Sequence, residues 1–544
     1  MKKKISTLLI LAAMATAASA QNAEYKILAE RDTTIKAEYE GFNFGTRDIH
    51  HILYEYPSKD PQGKNVTISG VVWVPKNIYD GTDPCDGVLL YNHYAHATSS
   101  ATPSVAGELV ANGFLASPLK PNYILVMSDY VGFGSSADRP QAFLCGDVNA
   151  RNSLDGLVAA RQLMSDHQIP QGKYLFNLGY SIGGTEAMFA AKLRDMEYKQ
   201  KGINFTKTFA GGGPLDFEKM YSEMIKVQYS AYPAGIVMAL VALNENYQLG
   251  IDYRKMFYEP LASHVKEWIL DRKYSAGEIG NFIAADSMKN ILQPDYLNLK
   301  SEATQVIIRK MKELSLMDGW ELDTLQNYFL LHGRHDDYVP IQSERCIIPW
   351  MKQKGFKPSL VPGKTSLQTN KLMIKLDHNM MGIVWFIQTA AAIQLWPVLY
   401  YEGEQNRYYH AVVKDLNLMK VIKLLEGLGI DLHKADSGQS SGSTNIIEIL
   451  SKFSDTLAKV DLTIYDLLEM LDDSGITIAD IIEVVSYLNT PKSEDGETTP
   501  SSARLFGPTE EMNSPAALLR HYEQTLAALL LMGGINVDYD KWGW

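Results

Sequence analysis

An α/β architecture, with a mostly parallel sheet covered by helices on both faces, is the fold class this sequence predicts. Three observations lead to it. Short β-branched or aromatic runs alternate with helical patterns from residue 65 to residue 212, and strands alternating with helices pair in parallel under helical cover. Within that region "YLFNLGYSIGGTEAM" (174–188) passes from an apolar run through a small-residue turn into a helical pattern. After an intervening helical stretch, strand-like runs resume at 327–333 and 371–376, so the stretch interrupts one sheet and does not separate two domains.

In chain order the strand-like runs are "NVTISGVVWVP" (65–75), "GVLLYNHY" (87–94), "YILVMSDY" (123–130), "KYLFNLGY" (173–180), "FTKTFAGG" (205–212), "NYFLLHG" (327–333) and "KLMIKL" (371–376). Helical spacing of apolar residues marks 148–167 and 183–200. From 214 to 323 helical patterns follow one another without a convincing strand, which reads as an inserted helical subdomain. The main domain is therefore expected over 21–213 and 324–401.

The N-terminus "MKKKISTLLILAAMATAASAQ" has three lysines, an apolar run and a small-residue cleavage site before Gln21. Residues 1–20 are expected to be an export signal, with a periplasmic or secreted destination. No cysteine follows the cleavage point, so no lipid attachment is expected. The apolar stretch 380–401 carries Gln388, Thr389 and Gln394, polar residues that favour a buried core helix over a membrane span. Of the three cysteines, Cys85, Cys145 and Cys346, at most one pair can form, and Cys85 with Cys145 is the preferred one because both adjoin consecutive strands. The net charge of −12 makes nucleic acid and anionic membranes poor partners and suits neutral or weakly charged substrates.

Past residue 401 polar linkers at 433–444 and 489–502 bracket a helical piece, in which "LTIYDLLEML" (462–471) and "ITIADIIEVV" (476–485) repeat. Each opens on a Thr-x-x-Asp start, as a helix cap does. A calcium loop ending at Asp480 would need a ligand where Leu471 stands, and leucine cannot ligate calcium. Residues 402–544 are expected to be a helical extension that packs on the insertion or docks a protein partner.

Gly179-Tyr180-Ser181-Ile182-Gly183 matches G-x-S-x-G. The bare string has about 0.2 chance occurrences in a chain this long, so its strand–turn–helix context carries the weight. A serine hydroxyl is a poor nucleophile unless a histidine takes its proton and a carboxylate orients that histidine. In a nucleophile-elbow fold the chain order is Ser, acid, His. Of twelve histidines only His378, His410, His433 and His521 follow a plausible acid strand, and His378 alone comes directly after an apolar strand-like run. The acid is Asp336 or Asp337, in the loop "HGRHDDYVP" after the run at 327–333. Asp377 is excluded because neighbours on an extended chain point to opposite faces. The same loop could be read as a solvated turn or a metal cluster of His332, His335 and the two aspartates, and no metal or cofactor is expected.

An oxyanion hole is the third requirement. Ile182 is expected to give one N–H, and Tyr94, Ala95 and His96 are the candidates for the second. His93 and His96 also form an H-x-x-H pair, read as shaping the site.

The set "DYVGFGSS" (129–136), "GYSIGG" (179–184), "AGGGPLDF" (210–217), "HGRHDDYVP" (332–340) and "DHNMMG" (377–382) resembles the α/β-hydrolase superfamily, in particular fungal-type secretory lipases and their bacterial relatives, across about residues 40–400. The resemblance implies an α/β-hydrolase fold with Ser181, Asp336 and His378 as the triad, Asp336 being chosen because that family's acid stands three residues before Val in D-x-x-V-P. It also implies that the insertion at 214–323 is a helical lid. "HYAH" replaces the family's usual His-Gly oxyanion motif, and the chain beyond 401 lies outside the resemblance.

The function expected is a carboxylic-ester hydrolase of the esterase or lipase kind, acting on a small-molecule or lipid ester without a transmembrane anchor. A serine peptidase on the same fold is the alternative, although no anchor for a peptide terminus is identifiable. A binding protein that keeps the scaffold is a third reading, because fold alone does not establish function.

Overall fold

The structure, a computed structural model, describes residues 24–39, 42–106, 109–116, 121–227, 229–333, 336–354, 367–370 and 377–399. The expected signal, the extension 402–544 with His410, His433 and His521, His335 and the run 371–376 lie outside the described residues.

Nine strands make one sheet: β1 (Lys26–Tyr39), β2 (Phe42–Lys59), β3 (Asn65–Pro75), β4 (Gly87–Asn92), β5 (Tyr123–Ser128), β6 (Tyr174–Tyr180), β7 (Lys207–Gly211), β8 (Tyr328–Leu331) and β9 (Leu367–Asn370). Their order is β1-β2-β3-β5-β4-β6-β7-β8-β9. The pairs β1–β2, β2–β3 and β3–β5 are antiparallel, and the five pairings from β5 to β9 are parallel. Every residue of β4, β5 and β7 is buried, which is why β4 and β5 read as nearly continuous apolar runs, whereas β7 opens on the buried Lys207 and Thr208.

The sheet begins earlier than the sequence suggests, with the long hairpin β1–β2. β1 is an edge strand with most of its residues at least partly exposed, so it needs no apolar face. Register shifts at Ile27/Ala29 and Ala37/Glu38 break the two-residue alternation by which a half-buried strand is recognised. At the other edge β9 precedes the run 371–376 expected to make the last strand.

In chain order the helices include α1 (Leu109–Ala116), α2 (Gly146–Asp166), α3 (Ile182–Leu193), α4 (Phe217–Val227), α5 (Pro233–Tyr247), α6 (Ala276–Ile283), α7 (Glu302–Glu313) and α8 (His378–Leu399); α2 and α3 cover one face of the sheet, and α1 and α8 the other. Adjacent residues of one strand serve opposite cores, as the pleat requires. Leu90 and Val126 pack with Leu154, Leu157 and Met188 of α2 and α3, whereas Leu89 and Leu125 pack with Phe114 of α1 and Trp385 and Ile393 of α8. α8 is buried on one face only: Met381, Trp385 and Thr389 are enclosed, while Met380, Ile383 and Ile387 are exposed. Among the described residues no helix is long and apolar enough to cross a membrane.

Between β7 and β8 the described residues form helices, with two isolated bridges, Tyr229 to Ser287 and Phe257 to Leu292. Side chains pin this insertion to the sheet domain. Arg194, on the turn after α3, donates to Asp323 at 2.8 Å, and Trp320 Nε1 donates to Asp195 at 2.9 Å. Arg272 donates to the carbonyls of Arg139 and Ala137 at 2.9 and 2.6 Å. Asn246, near the end of α5, donates to the Gln141 carbonyl at 2.8 Å.

The preferred Cys85–Cys145 pairing is corrected: all three cysteines are free. β4 and β5 are parallel neighbours, with Cys85 just before the start of β4 and Cys145 beyond the loop that leaves the far end of β5. The two thus sit at opposite ends of strands about 20 Å long, where a disulfide needs Cα atoms within about 7 Å.

Candidate active site

β6 ends at Tyr180, α3 begins at Ile182, and the whole reversal is made at Ser181. Its φ of 59° and ψ of −129° are a conformation that costs a residue with a Cβ about 1–3 kcal/mol. The surroundings impose it. Ser181 N–H donates to the Gly211 carbonyl of β7 at 2.8 Å, and its own carbonyl accepts from Gly184 and Thr185 at 2.8 and 3.2 Å. The flanking glycines are required by close approach: a Cβ on Gly179 would lie 1.9 Å from the Gly183 carbonyl oxygen, and one on Gly183 would lie 2.0 Å from that of Asn92. With the Gly184 and Thr185 N–H groups directed at Ser181, the Ile182 N–H stands at the first helical position, where no intrahelical acceptor exists.

His378, 197 residues further on, reaches this turn. Its Nε2 lies 2.8 Å from Ser181 Oγ, and its Nδ1 lies 2.7 Å from Asp336 Oδ2. His378 is the first residue of α8, and Asp377 caps that helix by accepting from Met380 N–H at 2.8 Å. The excluded Asp377 is therefore engaged in ending the loop. The Asp336-or-Asp337 alternative resolves in the geometry, since Asp337 accepts the backbone N–H of His378 at 3.0 Å while Asp336 takes the ring.

The D-x-x-V-P spacing has a local cause. Asp336 Oδ1 accepts from the N–H groups of Tyr338 and Val339 at 3.0 and 2.8 Å, an Asx turn that leaves Oδ2 for the imidazole. Burial works to raise the Asp336 carboxyl, but the hydrogen bond and charge of His378, the charge of His332 and the Val339 N–H outweigh it and hold the group below its ordinary range.

Two further residues escaped the sequence reading. Tyr180 donates its hydroxyl to the His378 carbonyl at 2.6 Å, tying the residue before the serine to the backbone of the histidine. Its ring fills space left by glycines, since a Cβ on Gly211, Gly212 or Gly382 would come within 2.7–2.9 Å of it. His332, considered as a loop or metal residue, is buried, with Nδ1 2.5 Å from Glu344 and Nε2 3.5 Å from Asp336. Burial lowers its pKa, but the Glu344 carboxylate, with Asp336 behind, more than offsets this and raises it to about 9.

Ile182, Tyr94, Ala95 and His96 line one pocket together with His93, Tyr130 and Gln141, so the expected oxyanion residues are brought together. His93 is stacked between His96 at 4.3 Å and Tyr130 at 4.2 Å, and burial lowers its pKa to about 4. Its Nδ1 bonds the Tyr94 carbonyl at 2.7 Å, and Gln141 donates to the His96 carbonyl at 2.7 Å. The loop is thus held by rings and side-chain amides.

No protein-family model matches the sequence, nor does any curated protein. Solved structures do match. The rice cell wall degrading esterase LipA from Xanthomonas oryzae aligns with a TM-score of 0.54 at 18% identity, over 70% of this chain and 98% of that one. A Legionella pneumophila protein assigned as a hydrolase aligns with a TM-score of 0.55 at 16% identity, over 70% and 98%. The chain has the α/β-hydrolase fold. Candida antarctica lipase A in its closed state is a more distant match, with a TM-score of 0.45 at 16% identity over 67% and 81%. In this α/β-hydrolase fold Ser181 follows the central strand β6, and Asp336 and His378 follow β8 and β9 in chain order.

Ser181→Gly, which removes the strained Cβ, should be more stable than Ser181→Ala by about 1 kcal/mol in urea unfolding. Gly183→Ala should lose several kcal/mol. Because the pKa of His332 is raised on folding, its contribution to stability is full below about pH 6.5 and is lost as pH rises through about 9. Urea midpoints at pH 6, 7.5 and 9 should fall for the wild type by an amount equivalent to about 1–3 kcal/mol, and less for Glu344→Gln.

Proposed function

We propose that the chain is a serine hydrolase of carboxylic esters. The observation that carries the reading is the unbroken hydrogen-bonded chain Ser181–His378–Asp336, rooted on a strained turn between strand and helix. With its Nδ1–H given to Asp336, His378 offers an unprotonated Nε2 to the serine hydroxyl. Ser181 Oγ attacks the ester carbonyl carbon as its proton passes to Nε2. The oxygen of the tetrahedral intermediate then takes up hydrogen bonds from the Ile182 N–H and from the Tyr94–His96 loop. Collapse expels the alcohol, protonated by His378, and leaves an acyl-enzyme. Water, deprotonated by the same nitrogen, releases the acid and restores Ser181.

The insertion 214–323 serves as a lid that contributes an apolar wall to the acyl or alcohol group. The esterase among the structural neighbours supports the ester class. The signal-like run at 1–20 supports export, with a periplasmic or secreted mature protein.

A series of p-nitrophenyl esters of graded acyl length tests the reading. Ser181→Ala and Asp336→Asn should each lose about 10⁴-fold or more in kcat, with little change in melting temperature for Ser181→Ala. Fluorophosphonate should label the wild type at Ser181, and p-nitroanilides should turn over far more slowly than esters. Undiminished ester turnover by Ser181→Ala would sink the proposal. The mass of the protein recovered from an exporting host should place its first residue at Gln21, and an intact Met1 would refute export by this route.

A further inference from the structure

The two hydrogen bonds of His378 lie at the nitrogens and resist an out-of-plane swing of the ring only weakly, because hydrogen bonds tolerate bending. What resists such a swing is whatever packs on the ring face. Tyr180 lies tilted against it, with centroids 5.1 Å apart and planes at 40°, and Tyr338 stacks on it face to face, with centroids 4.8 Å apart and planes 19° from parallel. The backbone of Tyr338 is fixed by the same acid that orients the histidine, through its N–H bond to Asp336 at 3.0 Å. Behind it Tyr232, the residue before α5, stacks on Tyr338 at 4.9 Å and 12°. Tyr232 has a built seat, since a Cβ on Gly235 would come 2.3 Å from its ring. A three-ring pile, Tyr232–Tyr338–His378, therefore runs from the inserted helices to the base.

Stacking acts differently on the two charge states of an imidazole. A neutral ring gains the modest attraction of an aromatic pair, whereas a cation over a tyrosine face gains the attraction of the ring quadrupole as well. His378 becomes cationic only when it has taken the Ser181 proton, and an interaction stronger in the transition state than in the ground state raises kcat. We propose that Tyr338 is a positioning residue which holds the plane of His378 and stabilises the imidazolium it forms, and that Tyr232 of the insertion holds Tyr338 in place. This rests on Ser181, His378 and Asp336 being the catalytic groups. The insertion then acts on the base itself in addition to covering the substrate.

Ester turnover by the full-length protein tests it. Tyr338→Leu should lower kcat about 3- to 10-fold with KM within about twofold, and should move the acid limb of the kcat/KM profile to lower pH by about half a unit to one unit. The sign follows because the ring favours the protonated imidazole. The other charged groups around His378 are Asp336, Asp337 on its N–H, Asp377 beside it, and His332 and Glu344 behind Asp336, and all stay unchanged. Tyr338→Phe, which keeps the face, should recover most of the rate and the original limb. Tyr232→Leu should give a smaller loss in the same direction and add nothing in the Tyr338→Leu background. Should Tyr338→Leu not fold, Tyr338→Met and Tyr232→Leu carry the same test. An unmoved limb with unchanged kcat, or a Phe variant no better than Leu, overturns the inference. Absence of Ser181-dependent turnover in the wild type would instead overturn the reading beneath it.

Discussion

Backbone pressed against backbone around Ser181 is the constraint on which the rest depends. Gly183 touches the end of β4, Gly179 touches the start of α3, and the Ser181 N–H is bonded to β7. Three neighbouring strands thus meet one turn, and a side chain at either glycine would push them apart. The hydroxyl projects because nothing else at that point has room. Strain of this kind persists only where the surroundings over-determine it, and here they include Tyr180, whose ring is enclosed by glycines from β7, the loop after it and α8.

The charge arrangement follows from how the acid is satisfied. Asp336 has one oxygen engaged by two backbone N–H groups and the other by His378, so its carboxylate is held in a single orientation although its side chain is fully buried. His332 and Glu344 form a further buried pair behind it. Removing one member of such a pair leaves an uncompensated charge in the interior. The site is therefore supported to a depth of two residues beyond the acid.

Much of this was legible in the sequence, and for physical reasons. Strands buried on both faces are mostly apolar, so β4, β5, β6 and β8 could be read directly, and β7 by its aromatic and β-branched centre despite the buried Lys207. The elbow announces itself by glycines at fixed offsets and His378 by chain order, whereas the residues alone left Asp336 and Asp337 open and only the family resemblance favoured Asp336. The hairpin β1–β2 was hidden because an exposed edge with bulges has no period to detect. Tyr180 and Tyr338 sit inside motifs that were recognised, yet a ring carries no local sign of what it will pack against 40 or 198 residues away. The cysteine pairing failed because closeness of strands in sequence says nothing about which ends of them meet.

One feature joins the two sides of the site. α5, fifteen residues long, is preceded by Tyr232, which faces Tyr338, and carries near its end Asn246, bonded to the Gln141 backbone, whose side chain in turn holds the His96 carbonyl. The helix behaves as a calliper about 22 Å long, with one jaw at the imidazole and the other at the loop opposite. Adding or deleting a single residue within it would displace one jaw by about 1.5 Å and rotate it by about 100°, so only one of them could still close on its mark. The number of residues in this segment, more than their identity along its outer surface, therefore sets whether Tyr232 and Asn246 can both reach their partners.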